Sequence, residues 1–266
     1  MSARLDAALA ERGLARSRTH AATLIASGVV TVDGVGVVKP SVRVTEESVL
    51  EVAGSDHYVS RAAHKLIAAL DAWQIPVSGR IALDMGASTG GFTQVLRERG
   101  ADPVLAVDVG HDQLSPTVRA DSGVVVVEGF NVRHMDRSTL AEAAGTDAVP
   151  ELITGDLSFI SLAHVLPAVR ATMAEGADVV LLIKPQFEVG RTAVRGGLVT
   201  DPSSRIDAVT EVLWRAWDSG LGTHGIMVSP LIGTHGNTEF LAWFRQGAEG
   251  NPTEWLDRVN VLAGAK

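Results

Sequence analysis

From Ile81 onward, hydrophobic residues come in short runs that are separated by longer segments of helical length and composition. The runs are IALD, PVLAVDV, VVVVEG, ELITGD and VVLLIK. Strands that alternate with helices in this way predict βαβ units and a mostly parallel sheet. Two later runs, GIMVSPLI and EFLAWF, predict a hairpin that closes this sheet.

The beginning of the chain has a different pattern, which predicts a small α+β unit. Leu5 and Leu9 have the i, i+4 spacing of a helix, and Ser17 has the type and position of an N-cap for a second helix. Asp33 and Gly34 then lie between two valine-rich runs, which indicates a type I′ β-hairpin.

A short stretch of small and polar residues, AGSDH, separates the two patterns and has the composition of a linker. We therefore predict an N-terminal α+β domain over residues 1–52 and a linker over residues 53–60. The remaining residues, 61–266, are predicted to form one α/β domain.

Composition narrows the class of protein further. The sequence has no cysteine, which excludes disulfides, thiolate zinc sites and a cysteine nucleophile. The N-terminus has no apolar h-region, and the apolar runs are far shorter than the roughly 18 residues that a membrane helix needs. We therefore expect a soluble cytoplasmic protein with no membrane partner. Because the net charge is −8, any RNA partner has to be argued from local charge.

One glycine-rich segment, IALDMGASTGGFTQVL, has the order strand, turn, helix and is compatible with three kinds of site. A dinucleotide-binding turn requires G-x-G-x-x-G, but Ser88 occupies the position of the second glycine. A hydrolase nucleophile elbow requires G-x-S-x-G, which Gly86 to Gly90 provide. However, that serine normally follows several strands, whereas this turn follows the first, and no HGGG-type segment precedes it. Both sites are therefore disfavoured.

The third kind of site, a turn that binds S-adenosylmethionine (AdoMet), accounts for more of the residues. Asp84 lies at the end of the first predicted strand, and the glycines that follow let the backbone approach a flat, uncharged ligand. Asp108 ends the second strand, 22 residues beyond Gly86, where a carboxylate can accept hydrogen bonds from both ribose hydroxyls. Either aspartate alone would be typical of a turn or cap. Together, at successive strand ends around a glycine turn, they favour a nucleoside cofactor.

Four charged residues outside this turn carry further chemistry. Lys65 lies in a predicted helix before the first strand, and Glu239 precedes the closing strand. Asp156 and Lys184 lie at the ends of two adjacent predicted strands. An ammonium group after five apolar residues is costly to bury without an acidic partner, so we expect Lys184 to pair with Asp156. Such a pair is either a structural ion pair or part of a catalytic site.

These four residues resemble the K-D-K-E tetrad of FtsJ-like ribose 2′-O-methyltransferases. The resemblance continues in YVSRAAHKL, LDMGASTGGFTQVL, DLSFISL, IKPQFE and GNTEF. The segment RLDAALAERGLARSRTHAATLIASGVVTVDG is similar to S-four-like RNA-binding domains. The combination resembles the TlyA family, which joins these two domains, and it covers nearly the whole chain.

The resemblance implies a Rossmann-like AdoMet-dependent methyltransferase sheet with a small N-terminal S-four-like domain. It implies 2′-O-methylation of cytidines in ribosomal RNA (rRNA) of the small subunit and, in some members, of both subunits. Ribosomal subunits would be the partner, AdoMet the cofactor, and no metal would be needed. Lys184, held by Asp156, would take up or polarise the proton of the ribose 2′-hydroxyl. Glu239 would orient Lys65 or the ribose.

The resemblance also assigns individual contacts. The expected cofactor-binding residues are Asp84, Gly86, Ser88, Gly90, Gly91, Phe92, Asp108, Val109 and Asp156. The expected phosphate-binding residues are Arg4, Arg16, Arg18 and Lys39. With one tyrosine and six phenylalanines, the chain favours recognition of structured RNA through shape and phosphates over extensive base stacking.

Two alternative functions belong to other classes of protein. One is a non-catalytic RNA-binding or ribosome assembly factor with a vestigial AdoMet site, which the intact glycine turn and the complete tetrad disfavour. The other is a base methyltransferase, which is disfavoured because an N-P-P-Y-like motif and a cysteine nucleophile are absent from the sequence.

Overall fold

The computed structural model describes residues 2–15, 17–26, 28–52, 57–190, 194, 196–233, 236–247 and 249–264. The chain divides into two compact units, Met1–His57 and Tyr58–Lys266. Each unit has its own core of buried apolar side chains.

The described residues of the N-terminal unit form two helices and two small antiparallel sheets. Its elements are β1 (Ser2–Arg4), α1 (Leu5–Glu11), α2 (Arg18–Ala26), β2 (Val30–Val32), β3 (Val35–Gly36), β4 (Arg43–Thr45) and β5 (Leu50–Val52). β1 pairs with β4, while β2 lies between β3 and β5. Leu5, Leu9 and Ile25 from the helices pack against Val30 and Val44 from the strands.

The local signals predicted for this unit are confirmed. The hydroxyl of Ser17 accepts a hydrogen bond from the His20 backbone N–H at 3.1 Å, as an N-cap does. Asp33 and Gly34 have φ values of 51° and 79°, and a type I′ turn requires two successive residues in this left-handed region.

A seven-stranded sheet forms the centre of the second unit. Its strands are β6 (Ala82–Met85), β7 (Val104–Asp108), β8 (Val124–Glu128), β9 (Leu152–Gly155), β10 (Asp178–Ile183), β11 (Leu221–Val228) and β12 (Phe240–Gln246). Their order is β11-β12-β10-β9-β6-β7-β8, and only β12 runs antiparallel to its neighbours, β10 and β11. The predicted sheet, mostly parallel and closed by a hairpin, is confirmed.

Helices cover both faces of this sheet. They are α3 (Ala63–Trp73), α4 (Gly91–Glu98), α5 (Pro116–Arg119), α6 (Arg137–Ala144), α7 (Leu166–Thr172), α8 (Pro185–Glu188), α9 (Pro202–Asp218) and α10 (Leu256–Gly264). Side chains alternate along each strand, so Leu83 and Met85 of β6 belong to one apolar cluster while Ala82 belongs to the other. Both faces of the sheet are therefore buried, as the continuous apolar runs indicate.

Strand β11 begins at Leu221, earlier than its apolar run indicates. Residues 221–224, LGTH, come before that run. They contain a glycine and a histidine and have no apolar periodicity, but this segment pairs with β12. Pairing with a neighbouring strand thus extends β11 beyond what local sequence predicts.

The order of the strands decides where a ligand binds. The chain moves outward from β6 to β7 and β8 and then returns to β9 on the opposite side of β6. In open α/β sheets, the crevice at the carboxyl ends of the strands beside such a reversal is the usual binding site. The segments after β6, β7, β9 and β10 all lie at this edge.

Candidate active site

A cavity of about 230 Å³ lies at this edge of the sheet. Its walls come from the glycine turn after β6, from the segment that leads into α3, and from the residues that follow β9 and β10. Lys65, Asp156, Lys184 and Glu239 all line it. The fold thus brings together the four charged residues that the sequence singled out.

Lys65 and Glu239 form the most deeply buried pair of this site. Lys65 Nζ donates a hydrogen bond to Glu239 Oε2 at 2.6 Å, although the two residues are 174 positions apart in the sequence. Lys65 is 6% exposed and Glu239 is 3% exposed. A Cβ atom at Gly233 would overlap with the carboxylate of Glu239, so the absence of a side chain there allows Glu239 to reach the lysine.

Asp156 lies between the two lysines. Its Oδ1 is 2.6 Å from Lys184 Nζ, and its Oδ2 is 3.5 Å from Lys65 Nζ. The contact with Lys184 is an ion pair without regular hydrogen-bond geometry, because Oδ1 has no directed donor among the described residues. Lys184 Nζ instead donates a hydrogen bond to the hydroxyl of Ser158 at 2.9 Å.

The cluster contains two ammonium groups and two carboxylates, so its formal charges balance. Burial of these groups is tolerated because each charge has a partner of opposite sign within 3.5 Å. Lys184 is the member whose ammonium contacts a neutral hydroxyl as well as a carboxylate. A lysine that opens into a cavity in this way is suited to bind or move a proton.

The glycine turn forms the opposite wall. Gly86 has φ 78°, and a Cβ atom on it would lie 3.1 Å from the backbone oxygen of Asp156. A Cβ atom on Gly91 would lie 2.8 Å from Ser60, so a side chain at either position would crowd the cavity. Ser88 and Phe92 also line the cavity.

Four of the expected cofactor residues do not line the cavity, namely Asp84, Gly90, Asp108 and Val109. Gly90 has φ 100°, and a Cβ atom on it would lie about 3.0 Å from the side chains of Leu114 and Val118. Asp108 and Val109 lie beside the cavity at the end of β7, where Val109 is exposed.

Asp84 has a different environment from the one that the sequence indicated. It precedes the last residue of β6, is 1% exposed, and does not line the cavity. Its carboxylate accepts hydrogen bonds from the hydroxyls of Thr93 at 2.7 Å and Thr154 at 3.2 Å. Burial raises the pKa of Asp84 to about 7, against the opposing effect of these hydrogen bonds. The position of Asp84 in β6 thus directs its side chain into the protein, where it contacts α4 and β9.

Asp108, in contrast, is attached to the turn itself. Its Oδ2 accepts a hydrogen bond from the Ser88 N–H at 2.8 Å, and its Oδ1 accepts one from the Gly110 N–H at 2.7 Å. Each carboxylate oxygen has a second lone pair, so Asp108 can still accept hydrogen bonds from a ligand. These backbone contacts fix its orientation.

Sequence reasoning missed three residues that shape the site. Ser158 contacts Lys184. Phe159 beside it is 91% exposed with φ 65°, and its ring packs on that of Phe187 in a tilted arrangement with centroids 5.3 Å apart. Glu188 accepts hydrogen bonds from the Ser161 hydroxyl at 2.6 Å and from the Leu162 N–H at 3.0 Å. The one available signal was position, because these residues closely follow Asp156 or Lys184 at strand ends.

The expected phosphate-binding residues belong to the N-terminal unit. Arg4 and Arg18 both contact the carboxylate of Asp6, and Lys39 is exposed. Arg16 lies outside the described residues. Arg12, which the sequence also places in this basic region, donates hydrogen bonds to the backbone oxygens of Thr45 and Ser48 and is thereby committed to the fold of its own unit.

No helix among the described residues is long and apolar enough to cross a membrane. The same part of the chain contains no group of three or more histidine, cysteine, aspartate or glutamate side chains arranged to hold a metal ion.

A doubly wound sheet with a reversed final strand, a glycine turn after the first strand and an acidic residue at the end of the second define a Rossmann-like methyltransferase fold. Residues 58–246 match the family model described as FtsJ-like methyltransferase, and residues 3–50 match the S4 domain. The chain belongs to the FtsJ-like methyltransferase family, within the TlyA group that adds an S4 domain.

Individual relatives agree with this assignment. The 16S/23S rRNA (cytidine-2′-O)-methyltransferase TlyA of Mycobacterium tuberculosis is 48% identical over 246 residues, which cover 91% of this chain and 90% of that protein. Hemolysin A of Brachyspira hyodysenteriae is 37% identical over 91% of this chain and 99% of its own length. A solved structure from Streptococcus thermophilus, named as a candidate hemolysin, has a TM-score of 0.76 and 34% identity, covering 99% of this chain and 96% of that one.

Proposed function

We propose that this protein transfers a methyl group from AdoMet to the 2′-hydroxyl of cytidine in ribosomal RNA. The observation that carries the proposal is the buried cluster of Lys65, Asp156, Lys184 and Glu239, which opens into the cavity beside the glycine turn. The activity named for the M. tuberculosis relative, at 48% identity over nearly the whole chain, supports the choice of substrate.

The residues around the cavity fit AdoMet. Gly86 and Gly91 let the turn pack closely against Asp156 and Ser60, which also line the cavity, and Phe92 supplies an apolar surface. Asp108, oriented by two backbone N–H groups, is suited to accept the ribose hydroxyls, and Val109 offers an exposed apolar side chain beside it. When bound, AdoMet supplies a methyl group on a positively charged sulfur, which is already activated for transfer to an oxygen nucleophile.

The chain's own residues would then act on the hydroxyl that receives the methyl group. Lys184 would hold the 2′-hydroxyl through its Nζ. As an ammonium group it would polarise the hydroxyl; as the neutral amine, left once the ammonium has released a proton to solvent, it would take up the hydroxyl proton as the oxygen attacks the methyl group. Asp156 and Ser158 would fix the position of that ammonium group, since both contact Nζ within 3.0 Å. Lys65, held by Glu239, would keep Asp156 in place. Most of the acceleration would come from positioning of the two reactants.

Recognition of rRNA is assigned to the N-terminal S4 domain. Arg4, Arg18 and Lys39 carry exposed positive charge on this unit, and we place Arg16 with them from the sequence. We keep 1–52 as the recognition domain, 53–60 as the linker and 61–266 as the catalytic domain. Bacterial ribosomal subunits would be the partner.

Replacement of Lys184 tests the mechanism. Lys184→Ala is expected to lower the rate of methyl transfer by about 10² to 10⁴, the usual effect of a positioned acid–base group. Affinities for AdoMet and rRNA should change little, because the loss falls on the transition state. Single-turnover methylation of ribosomal subunits with labelled AdoMet, together with calorimetry for cofactor binding, measures both quantities.

Lys184→Arg is the matched control, because it keeps the positive charge next to Asp156 but cannot release a proton at neutral pH. If Lys184 takes up the proton, this variant should be nearly as slow as Lys184→Ala; substantial activity would instead indicate that the side chain only orients the hydroxyl. A Lys184→Ala protein that melts like the wild type and methylates at the wild-type rate would refute the proposed mechanism. In that case the cluster is a structural ion-pair network.

A further inference from the structure

Asp6 is a buried carboxylate that lies between two exposed arginines of the N-terminal unit. Arg4 Nε donates to Asp6 Oδ1 at 3.0 Å, and Arg4 Nη2 donates to Oδ2 at 3.1 Å. Arg18 Nη2 approaches the same Oδ2 at 3.4 Å. The first turn of α1 adds a fourth donor, the Ala7 N–H, at 2.9 Å from Oδ1.

The side chain of Asp6 is buried, and the two arginine side chains that contact it are exposed. The side chain of Asp6 is 9% exposed, whereas those of Arg4 and Arg18 are 45% and 63% exposed. The carboxylate is therefore on the inside and the guanidinium groups are on the outside. Because Arg4 uses Nε and Nη2 for Asp6, its Nη1 still has N–H donors for another partner.

The carboxyl group of Asp6 remains ionised at neutral pH. The hydrogen bond from Arg4 has the largest effect and, with the smaller contribution of Arg18, lowers the pKa of Asp6 to about 2, although burial acts in the opposite direction. One carboxylate and two guanidinium groups carry a net charge of +1. The group therefore still attracts an anion.

We propose that Asp6 is a positioning residue that holds Arg4 and Arg18 as a preformed pair for phosphate groups of rRNA. This inference rests on the proposed function, in which the N-terminal unit binds rRNA. An arginine side chain has many rotamers, and fixing it before binding removes an entropic penalty from the bound state. The planar guanidinium group also binds phosphate best in a defined, fork-like orientation.

The proposal predicts that removal of Asp6 weakens RNA binding, whereas the change in net charge alone would strengthen it. Removing an acidic residue from an RNA-binding surface makes the surface more positive, which by itself strengthens binding to a polyanion. If Asp6 positions the arginines, its removal weakens binding despite the gain in positive charge. The sign of the change therefore separates the two roles.

The test uses the full-length protein with Asp6→Asn and, as a control of equal charge, Glu11→Gln. Glu11 is exposed on the same helix, α1. Binding to unmethylated ribosomal subunits and to a non-ribosomal transcript of equal length is measured between 50 and 300 mM salt, about the range over which phosphate contacts change affinity most. Methylation assays give KM and kcat for the subunits.

For Asp6→Asn we expect about three- to tenfold weaker subunit binding, a raised KM with unchanged kcat, and a salt dependence smaller by about one phosphate contact. Glu11→Gln should bind equally well or more tightly.

Arg4→Lys serves as a second variant, since it keeps the charge and disturbs only an exposed side chain, but loses the two-point contact with Asp6. It should weaken subunit binding as Asp6→Asn does. The double variant should be little worse than either single one, because both act on the same contact.

Two results would overturn the inference and have different meanings. If Asp6→Asn tightens binding as Glu11→Gln does, or Arg4→Lys has no effect, Asp6 only neutralises charge, while the proposed function stands. If Arg4→Gln combined with Arg18→Gln leaves subunit binding unchanged, the recognition face of the proposed function itself is wrong. Should Asp6→Asn fail to fold, the outcome for Arg4→Lys decides.

Discussion

Asp84 and Asp108 occupy neighbouring strands of one sheet, yet Asp84 is buried whereas Asp108 lies at the carboxyl end of its strand and contacts the glycine turn. Asp84 points into the core towards α4, where Thr93 and Thr154 supply hydroxyl donors. Asp108 follows the last buried residue of β7 and is held by backbone N–H groups of the surrounding turns. Residue type is the same, so the difference in role comes from position along the strand.

Replacement of Asp108 should affect the cofactor directly. Asp108→Ala is expected to weaken AdoMet binding by about ten- to hundredfold, because the ribose hydroxyls lose a charged acceptor worth about 1.5–3 kcal/mol. Asp108→Asn should be intermediate, since it keeps one acceptor oxygen. Calorimetric titration with AdoMet measures the change, and an unchanged affinity in a folded Asp108→Ala protein would show that the ribose binds elsewhere.

Asp84 should instead affect stability in a pH-dependent way. Its pKa is raised to about 7 in the folded state and is about 3.9 in the unfolded state, so folding favours the protonated form. The resulting stabilisation is fully present below about pH 4 and is lost as pH rises through 7. Relative to Asp84→Asn, the wild type should lose up to about 4 kcal/mol of unfolding free energy between pH 4 and pH 8.

Urea unfolding of both proteins at several pH values tests this expectation, because the difference between them cancels the other titrating groups. A difference that does not vary with pH would mean that Asp84 is ionised throughout this range.

At the scale of secondary structure elements, helix α8 connects Lys184 to the loop that carries Asp156 and Ser158. α8 begins directly after Lys184, and Glu188 at its end binds Ser161 and Leu162. Phe187 of the same helix packs on Phe159. The loop that carries Asp156 and Ser158 is thus attached at its far end to the element that follows Lys184.

Breaking this attachment should reduce activity without removing a catalytic group. Glu188→Ala would leave the Leu162 N–H and the Ser161 hydroxyl without their acceptor, which costs about 1–3 kcal/mol of stability when such groups are buried. We expect kcat to fall roughly tenfold, because a looser loop positions Lys184 less well. Glu188→Gln is the control, since its amide can accept from Leu162 and donate to Ser161. Melting temperatures and kcat of both variants test this role, and equal kcat for wild type and Glu188→Ala would exclude it.

At the scale of the whole molecule, the two units have separate hydrophobic cores. The core of the N-terminal unit draws on residues up to Val52, while the clusters on either side of the large sheet draw on residues from Ala63 onward. Each unit therefore contains the buried apolar surface that its own stability requires.

Removal of residues 1–57 should consequently separate binding of the cofactor from recognition of the substrate. The remaining chain is expected to fold and to bind AdoMet with unchanged affinity, but to methylate ribosomal subunits at least about a hundredfold less efficiently, since several phosphate contacts are lost. Calorimetry and a methylation assay on the same preparation measure the two properties. Full methylation by the shortened protein would show that the S4 domain is not the recognition module.

Local structure and the identity of the chemical groups could be predicted from the sequence. Hydrophobic periodicity predicted the strands of the large sheet, and Asp33-Gly34 predicted the hairpin, because these features depend on side-chain pattern and backbone preference over a few residues. The motifs around Lys65, Asp156, Lys184 and Glu239 likewise indicated which residues belong to the site. The early start of β11 was not predicted, because strand pairing rather than local pattern decides it.

Which of these groups meet, and which are buried, depends on how the strands and helices pack. Lys65 and Glu239 are 174 residues apart, and their 2.6 Å contact depends on the strand order, which no local pattern specifies. The burial of Asp84 and the approach of Arg18 to Asp6, 12 residues away, depend in the same way on packing in three dimensions. The strength of a charge interaction depends on distance and surrounding solvent, and both quantities exist only once the chain has folded.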